Sequence, residues 1–90
     1  MDDREMDDRE MDDSEIFEAI RRNLGVVVYD LDTSTVTLDD SLAALGCNSV
    51  DRAEVVTLTM EDMGISVPVM EFQQTRDIRS LVALLARHSA

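Results

Sequence analysis

Three side chains in this sequence could take part in chemistry: Ser49, Cys47 and His88. Ser49 follows the loop sequence LGCN and opens a helical pattern, so its hydroxyl is expected to be exposed at a helix N-terminus. Free backbone N–H groups and the helix dipole at such a position favour an attached anion, such as a phosphodiester. The simpler alternative is that Ser49 only caps the helix, because serine is common at that position.

Conventional catalysis finds little support in the other two side chains. Cys47 and His88 could form a hydrolytic pair, but the chain is small and His88 stands two residues from its end. Cys47 is more simply a small apolar residue in front of a helix. The scattered carboxylates form no acid and base pair, and no cluster has the spacing of metal ligands. We therefore predict no catalytic residue, no metal site and no enzymatic activity.

Charge restricts the possible partners. The chain has 90 residues, 20 acidic and 8 basic side chains, and a formal net charge of −12. Residues 1–15 are three copies of a pentapeptide, MDDRE or MDDSE, and carry −7 of that charge. The repeat has no apolar stripe, which predicts a solvated, disordered acidic tail at residues 1–13 and a folded domain at residues 14–90. An acidic body favours protein partners with basic docking sites and disfavours nucleic acid and anionic membranes.

The cellular location follows from what the sequence lacks. No apolar run is long enough to cross a bilayer, and the N-terminus is acidic where a signal peptide would be basic. A single cysteine cannot form an internal disulfide. We expect a cytoplasmic, monomeric protein that does not bind membranes.

The elements that position these residues begin with a helix predicted at residues 14–24, capped by Ser14 and stopped by Gly25. Residues 26–38 are rich in β-branched side chains, and local propensity alone predicts a strand or hairpin there. The same segment starts like an EF-hand calcium loop but lacks the glycine and the bidentate glutamate that such a loop requires. We expect no calcium site in it.

A second helical pattern runs from Ser49 to Met63 and ends at Gly64. A helical wheel predicts a core face that contains Ala53, Val55, Val56, Thr59, Met60 and Met63. The outer face is an acidic stripe with a single leucine, formed by Asp51, Glu54, Leu58, Glu61 and Asp62. Such a stripe is either a solvated surface or a docking surface.

The C-terminal third predicts one further helix of useful length. Pro68 breaks the chain, and residues 69–74 are expected to form a single helical turn. Thr75 is the predicted N-cap of a last helix, with Asp77 in its first turn. The apolar face of that helix contains Ile78, Leu81, Val82 and Leu85.

Residues 41–68, SLAALGCNSVDRAEVVTLTMEDMGISVP, resemble the core of the acyl carrier protein family. In that family a segment of the form S-L-x-x-L-G-x-D-S-L-x-x-x-E leads into the second helix, and an I-x-[IV]-P turn follows. The resemblance extends over residues 14–88, because TRDIRSLVALL is similar to the last helix of the family. It implies an all-α fold, an acyl-carrier-like four-helix bundle with a long first loop at residues 26–41 and a short third helix. The matching positions are Leu42, Leu45, Gly46, Ser49, Glu54, Ile65, Val67 and Pro68.

The same resemblance implies that Ser49 is the attachment point of 4'-phosphopantetheine, installed from coenzyme A by a phosphopantetheinyl transferase. The thiol of this cofactor carries acyl groups as thioesters. The start and outer face of the second helix are then the surface that partner enzymes bind. The candidate partner-binding residues are Asn48, Val50, Asp51, Arg52, Glu54, Leu58 and Glu61.

Three positions depart from the usual motif: Asn48 replaces an aspartate, Val50 replaces a leucine, and Arg52 adds a cation. The string LGCNSVDRAEV resembles the free-standing donor acyl carrier proteins of polyketide β-branching cassettes. This implies a carrier that holds an acetyl or malonyl unit and delivers acetyl to a 3-hydroxy-3-methylglutaryl synthase-like enzyme. An acyltransferase and a decarboxylating ketosynthase-like enzyme are the further implied partners.

Two alternatives stay open on the sequence. The first is a carrier for fatty acid or ordinary polyketide chain extension. The second, from another class, is a non-acylated helical interaction module in which Ser49 only caps its helix.

Overall fold

The fold is described from a computed structural model and covers residues 12–89. These residues form four α-helices and one 3-10 turn and contain no strand, so the predicted all-α bundle with a short third helix is confirmed. The predicted tail at residues 1–13 lies outside the described residues except for its last two. The elements are α1 (Asp13–Val27), the 3-10 turn (Thr33–Thr35), α2 (Ser49–Met63), α3 (Val69–Phe72) and α4 (Ile78–Ser89).

The core lies where α1 packs against both α2 and α4, while α3 packs against α4. Apolar side chains spaced three or four residues apart on each long helix point into this core. Burial of each such side chain contributes roughly 1.5–3 kcal/mol to stability. The largest fully buried side chains are Ile16, Ile20, Leu24, Val55, Thr59, Ile78 and Leu85.

Helix α1 begins earlier and ends later than predicted. Asp12, and not Ser14, is its N-cap: the Asp12 carboxylate accepts a hydrogen bond from the Glu15 N–H at 2.9 Å, and the Glu15 carboxylate accepts one from the Asp12 N–H. Two donors at the helix start are satisfied in this way. The hydrogen bonds that the Asp12 carboxylate accepts from the Glu15 N–H and the Ser14 hydroxyl lower its pKa from the usual 3.8.

Gly25 does not stop α1, which continues to Val27. The glycine instead permits a close approach, because a Cβ at this position would lie 3.3 Å from the Thr33 Cγ2 atom. Arg21 holds the same part of the loop by donating from Nε to the Thr33 carbonyl at 3.1 Å. The lack of a side chain at Gly25 therefore lets the 3-10 turn pack on α1.

The predicted strand at residues 26–38 is wrong. Its first two residues belong to α1, and its remainder forms part of a loop that leads to α2. The loop is tied to the N-terminus of α4, where the N–H groups of Ile78 and Arg79 donate to the carbonyls of Asp40 and Leu38 at 2.8 Å each. Buried Val36 also anchors the loop in the core. These tertiary contacts override the local β propensity.

Helix α4 is capped by Asp77 and not by Thr75. The Asp77 carboxylate accepts a hydrogen bond from the Ser80 N–H at 2.9 Å, and this bond lowers the pKa of Asp77. The Thr75 hydroxyl instead donates to the Phe72 carbonyl at 2.7 Å at the end of α3. Thr75 therefore closes the preceding short helix.

A polar cluster joins α1 to α2. Asn23 is 6% exposed and donates from Nδ2 to the Thr59 hydroxyl at 2.9 Å and to the Asp62 carboxylate at 3.0 Å. Arg22 also donates to Asp62, at 2.8 Å. The Thr59 hydroxyl in turn donates to the Val55 carbonyl at 2.8 Å. Asp62, which the helical wheel placed on the outer stripe, is therefore a bridge between two helices.

This cluster predicts a loss of stability in acid. The hydrogen bonds from Asn23 and Arg22 lower the pKa of Asp62 below its usual 3.8, so its stabilising effect is complete above that pH. It is lost as the pH falls through the lower, folded-state pKa. We expect the unfolding free energy of Asp62→Asn, measured by urea titration between pH 2 and pH 6, to fall less steeply in acid than that of the wild type.

Glu54→Gln is the matched control, because Glu54 is an exposed carboxylate on the same helix and makes no hydrogen bond through its side chain within residues 12–89. Its acid slope should equal that of the wild type. An unchanged slope in Asp62→Asn would contradict the proposed pH linkage.

Candidate functional site

Ser49 is the first residue of α2 and is exposed, as predicted. The chain reaches it through a turn in which the Cys47 N–H donates to the Leu42 carbonyl at 3.1 Å. Gly46 closes this turn with a φ of 100°, a conformation that favours glycine. The glycine in the LGCN sequence is thus required by the turn that presents the serine.

The N-cap of α2 is Asn48, so Ser49 is not the capping residue. The Asn48 Oδ1 atom accepts a hydrogen bond from the Asp51 N–H at 2.8 Å, and the Asp51 carboxylate accepts one from the Asn48 N–H at 3.2 Å. Within residues 12–89 the Ser49 hydroxyl makes no hydrogen bond, and the N–H groups of Ser49 and Val50 have no protein acceptor. The serine hydroxyl is therefore free for modification, beside two backbone donors that suit a phosphate.

A groove of about 510 Å³ lies beside Ser49. Its walls are the turn at residues 41–43, one face of α2, helix α3 and the segment that leads into α4. Its volume falls in the range of sites for small organic groups. The apolar part of its lining comes from Leu42, Ala43, Ala53, Val56, Met60, Val69, Phe72 and Leu81.

The predicted partner-binding residues are all at least partly exposed, but they do not share one side of α2. Val50 is 71% exposed next to Ser49, and Asp51 and Leu58 are partly exposed. Asn48, Arg52, Glu54 and Glu61 are exposed. Arg52 lines the groove beside Ser49, whereas Glu54, Leu58 and Glu61 lie further along α2 and do not border the groove.

One predicted core residue of α2 lies elsewhere. Ala53 is exposed and borders the groove, whereas Val55 and Thr59 are fully buried as predicted. The predicted core face of α2 was too wide, because only Val55 and Thr59 of this helix are fully buried and its groove side is open.

Two further exposed apolar residues near the site were not predicted from the sequence. Val69 and Met70 open α3 and are 76% and 75% exposed. Val69 also borders the groove beside Ser49. A signal was available, since two apolar residues directly after Pro68 begin a helix of four residues, which is too short to bury both.

Cys47 and His88 do not form a hydrolytic pair in residues 12–89. Cys47 is 4% exposed, and its burial raises the pKa of the thiol, so it is a poor nucleophile. The His88 Nε2 atom lies 3.1 Å from the Glu71 carboxylate and links α4 to α3. Cys47 is therefore part of the core, and His88 holds α4 against α3.

Comparison with known proteins identifies the family. The sequence matches the family described as "Phosphopantetheine attachment site" over residues 14–85. This chain belongs to the acyl carrier protein family. It is 36% identical over 70 residues to the polyketide biosynthesis acyl-carrier-protein AcpK of Bacillus subtilis (strain 168). The aligned residues cover 78% of this chain and 85% of the relative. The carrier therefore takes 4'-phosphopantetheine as its covalent cofactor, as the resemblance implied.

One chain of a solved complex is similar to most of this carrier. The complex, seen in a crystal structure, is the HMG synthase of the curacin biosynthetic pathway with its acetyl donor acyl carrier protein. The match has a TM-score of 0.78 and 30% identity and covers 86% of this chain and 99% of the matched chain. The predicted resemblance to donor carriers is confirmed. None of the helices in residues 12–89 has the length and hydropathy needed to span a membrane.

Proposed function

We propose that this carrier is the acetyl donor in a polyketide β-branching cassette and that Ser49 bears its phosphopantetheine arm. The observation that carries the proposal is the exposed, unbonded hydroxyl of Ser49 at the N-terminus of α2, beside an accessible groove. The similarity to a donor carrier seen with its HMG synthase supports the donor role. The similarity to a polyketide carrier of Bacillus subtilis supports the pathway class.

Residues around Ser49 fit the cofactor. The N–H groups of Ser49 and Val50 point out of the helix N-terminus, where they stabilise the negative charge of a phosphodiester. The Asn48–Asp51 capping box fixes the first turn, so the hydroxyl is held on a rigid element. When bound, the cofactor supplies a thiol that holds the acyl group as a thioester.

The chain itself is proposed to perform no catalysis. Its task is to present the acyl group to enzymes that bind in turn: a phosphopantetheinyl transferase, an acyltransferase, a decarboxylating ketosynthase-like enzyme and a 3-hydroxy-3-methylglutaryl synthase-like enzyme. The acidic surface of α2 favours rapid association with basic docking sites. A cytoplasmic location belongs to the same proposal, as does an acidic tail, which is limited to the residues before Asp12 because Asp12 caps α1.

The attachment is tested by incubating the full chain with coenzyme A and a phosphopantetheinyl transferase. Intact mass spectrometry should show a gain of one phosphopantetheinyl unit. An unmodified chain, under conditions that modify another carrier protein, would overturn the carrier proposal.

We predict that Asn48 and Arg52 contribute to selection of the synthase. Asn48 removes a negative charge beside Ser49, and Arg52 adds a positive charge one turn further along α2. Charges at the rim of an interface change association rates and discriminate between partners. We expect acetylated Asn48→Asp and Arg52→Ala to transfer acetyl to a β-branching synthase severalfold more slowly than the wild type.

Both substitutions should leave the fold intact. Aspartate is as good an N-cap as asparagine, and Arg52 has no carboxylate within ion-pair distance in residues 12–89. Mass spectrometry of the loaded variants separates lost loading from lost transfer. Unchanged donor rates in both fully loaded variants would refute this role.

A further inference from the structure

Among residues 12–89, only some of the arginines pair with a carboxylate. Of the six arginines in residues 12–89, Arg21 pairs with Glu18 at 2.7 Å, Arg22 with Asp62 at 2.8 Å and Arg79 with Asp39 at 2.9 Å. Within the same residues no carboxylate lies within 4.0 Å of the other three guanidinium groups, which belong to Arg52, Arg76 and Arg87. Within residues 12–89 these three guanidinium groups are therefore without a carboxylate partner.

Two of these three arginines border the same groove. Arg52 on α2 and Arg76 before α4 both line the groove beside Ser49, whereas Arg87 does not. The groove has one acidic side chain in its lining, Asp77. That carboxylate already accepts the Ser80 N–H at 2.9 Å as the cap of α4. The groove therefore combines an apolar lining with two arginines and one carboxylate, and that carboxylate is already hydrogen-bonded as the N-cap of α4.

A malonyl-class acyl group carried on Ser49 brings a carboxylate to this groove, whereas an acetyl group is neutral. A guanidinium binds a carboxylate through paired, charge-assisted hydrogen bonds, and a neutral methyl end offers no such partner. Attachment to the same chain also gives the group an effective concentration in the millimolar range, so weak contacts suffice to hold it.

We propose that Arg52 and Arg76 bind the terminal carboxylate of a malonyl-class acyl group carried on Ser49, and that they do not bind an acetyl group. This inference rests on the proposed carrier function. It divides the cargo into two classes: a dicarboxylic acyl group is held in the groove, and an acetyl group stays accessible to a partner. The carrier itself then distinguishes the precursor from the unit to be donated.

The test compares three forms of the full chain: with the free thiol of the arm, with an acetyl group and with a malonyl group, prepared from the corresponding coenzyme A compounds. Nitrogen-15 NMR of the arginine Nε–H groups reports on each guanidinium without any partner enzyme. We expect the Arg52 and Arg76 signals to shift in the malonyl form relative to the acetyl form, and the Arg87 signal to stay in place.

A second measurement gives the strength of the contact. Exchange of the acyl group onto a small neutral thiol, followed by intact mass, should be slowed for malonyl relative to acetyl. We expect this ratio to change by about two- to fivefold in the double variant R52Q/R76Q, the size typical of exposed ion pairs. The control R87Q should keep the wild-type ratio.

The outcomes separate the possible failures. If the Arg52 and Arg76 signals of the free-thiol form already lie at their positions in the malonyl form, the bound anion is the phosphodiester. That result would overturn the carboxylate proposal. Equal arginine spectra in the malonyl and acetyl forms, or an exchange ratio that is the same in R52Q/R76Q as in the wild type, would overturn it as well. A chain that cannot be loaded at all would instead overturn the carrier function on which the inference rests.

Discussion

Ser49→Ala is expected to abolish the mass gain in the transferase reaction completely, because it removes the hydroxyl oxygen to which we assign the phosphodiester. The variant should keep its fold. The Ser49 hydroxyl makes no hydrogen bond within residues 12–89, and the cap of α2 is supplied by Asn48. We therefore expect Tm by circular dichroism to change by less than about 4 °C, which corresponds to less than about 1 kcal/mol in a domain of this size.

Ser66→Ala provides the matched control. Ser66 is also exposed, but it lies in the loop that follows α2, at the opposite end of the helix from Ser49. This variant should be modified at the wild-type rate. Continued modification of Ser49→Ala would show that another residue is the attachment point, and a collapsed circular dichroism spectrum would show that Ser49 is needed for folding.

Ile20→Ala is expected to produce the largest loss of stability among the variants considered. Ile20 lies on α1 and is fully buried in the core. Removing such a side chain costs about 2–5 kcal/mol, which includes the cavity left behind. A domain of this size has a total stability of about 5–15 kcal/mol, so Tm should fall by about 8 °C or more.

Val26→Ala on the same helix is the control, because Val26 is 65% exposed. Its Tm should fall by only a few degrees. The Ile20→Ala variant should lose modification when it is heated through its own transition and should be modified normally below it, since the bundle positions Ser49. Equal Tm values for the two variants would contradict the assignment of the core.

The sequence was sufficient to predict α2 and the position of Ser49. The predicted bounds of α2 agree with the structure at both ends, because strong local signals stand there: a turn glycine and Asn48 precede the helix, and Gly64 follows it in the left-handed conformation with a φ of 69°. The apolar face of α4 followed from the spacing of Ile78, Leu81, Val82 and Leu85, all of which are buried. The family resemblance supplied the topology that spacing alone did not.

Features that depend on distant contacts were not predictable from the sequence. Gly25 looked like a helix stop, but its function is to allow contact with the 3-10 turn. Asp62 looked like a member of the outer stripe, but its partners lie on α1. The groove combines residues from separate parts of the chain, and Arg76 became a candidate only once α2, α3 and the start of α4 had been brought together.

The bonds between the first loop and α4 have a consequence for the order of folding. The first turn of α4 receives two of its backbone acceptors from the loop, and Arg79 pairs with Asp39, which is 40 residues away in the chain. Contacts of such separation form only after the cost of closing a long segment has been met. In kinetic terms, the association of α1 with α2 has a similar closure cost, because Arg22 and Asp62 are also 40 residues apart. The loop–α4 contacts and the α1–α2 contacts are therefore expected to form together, late in folding.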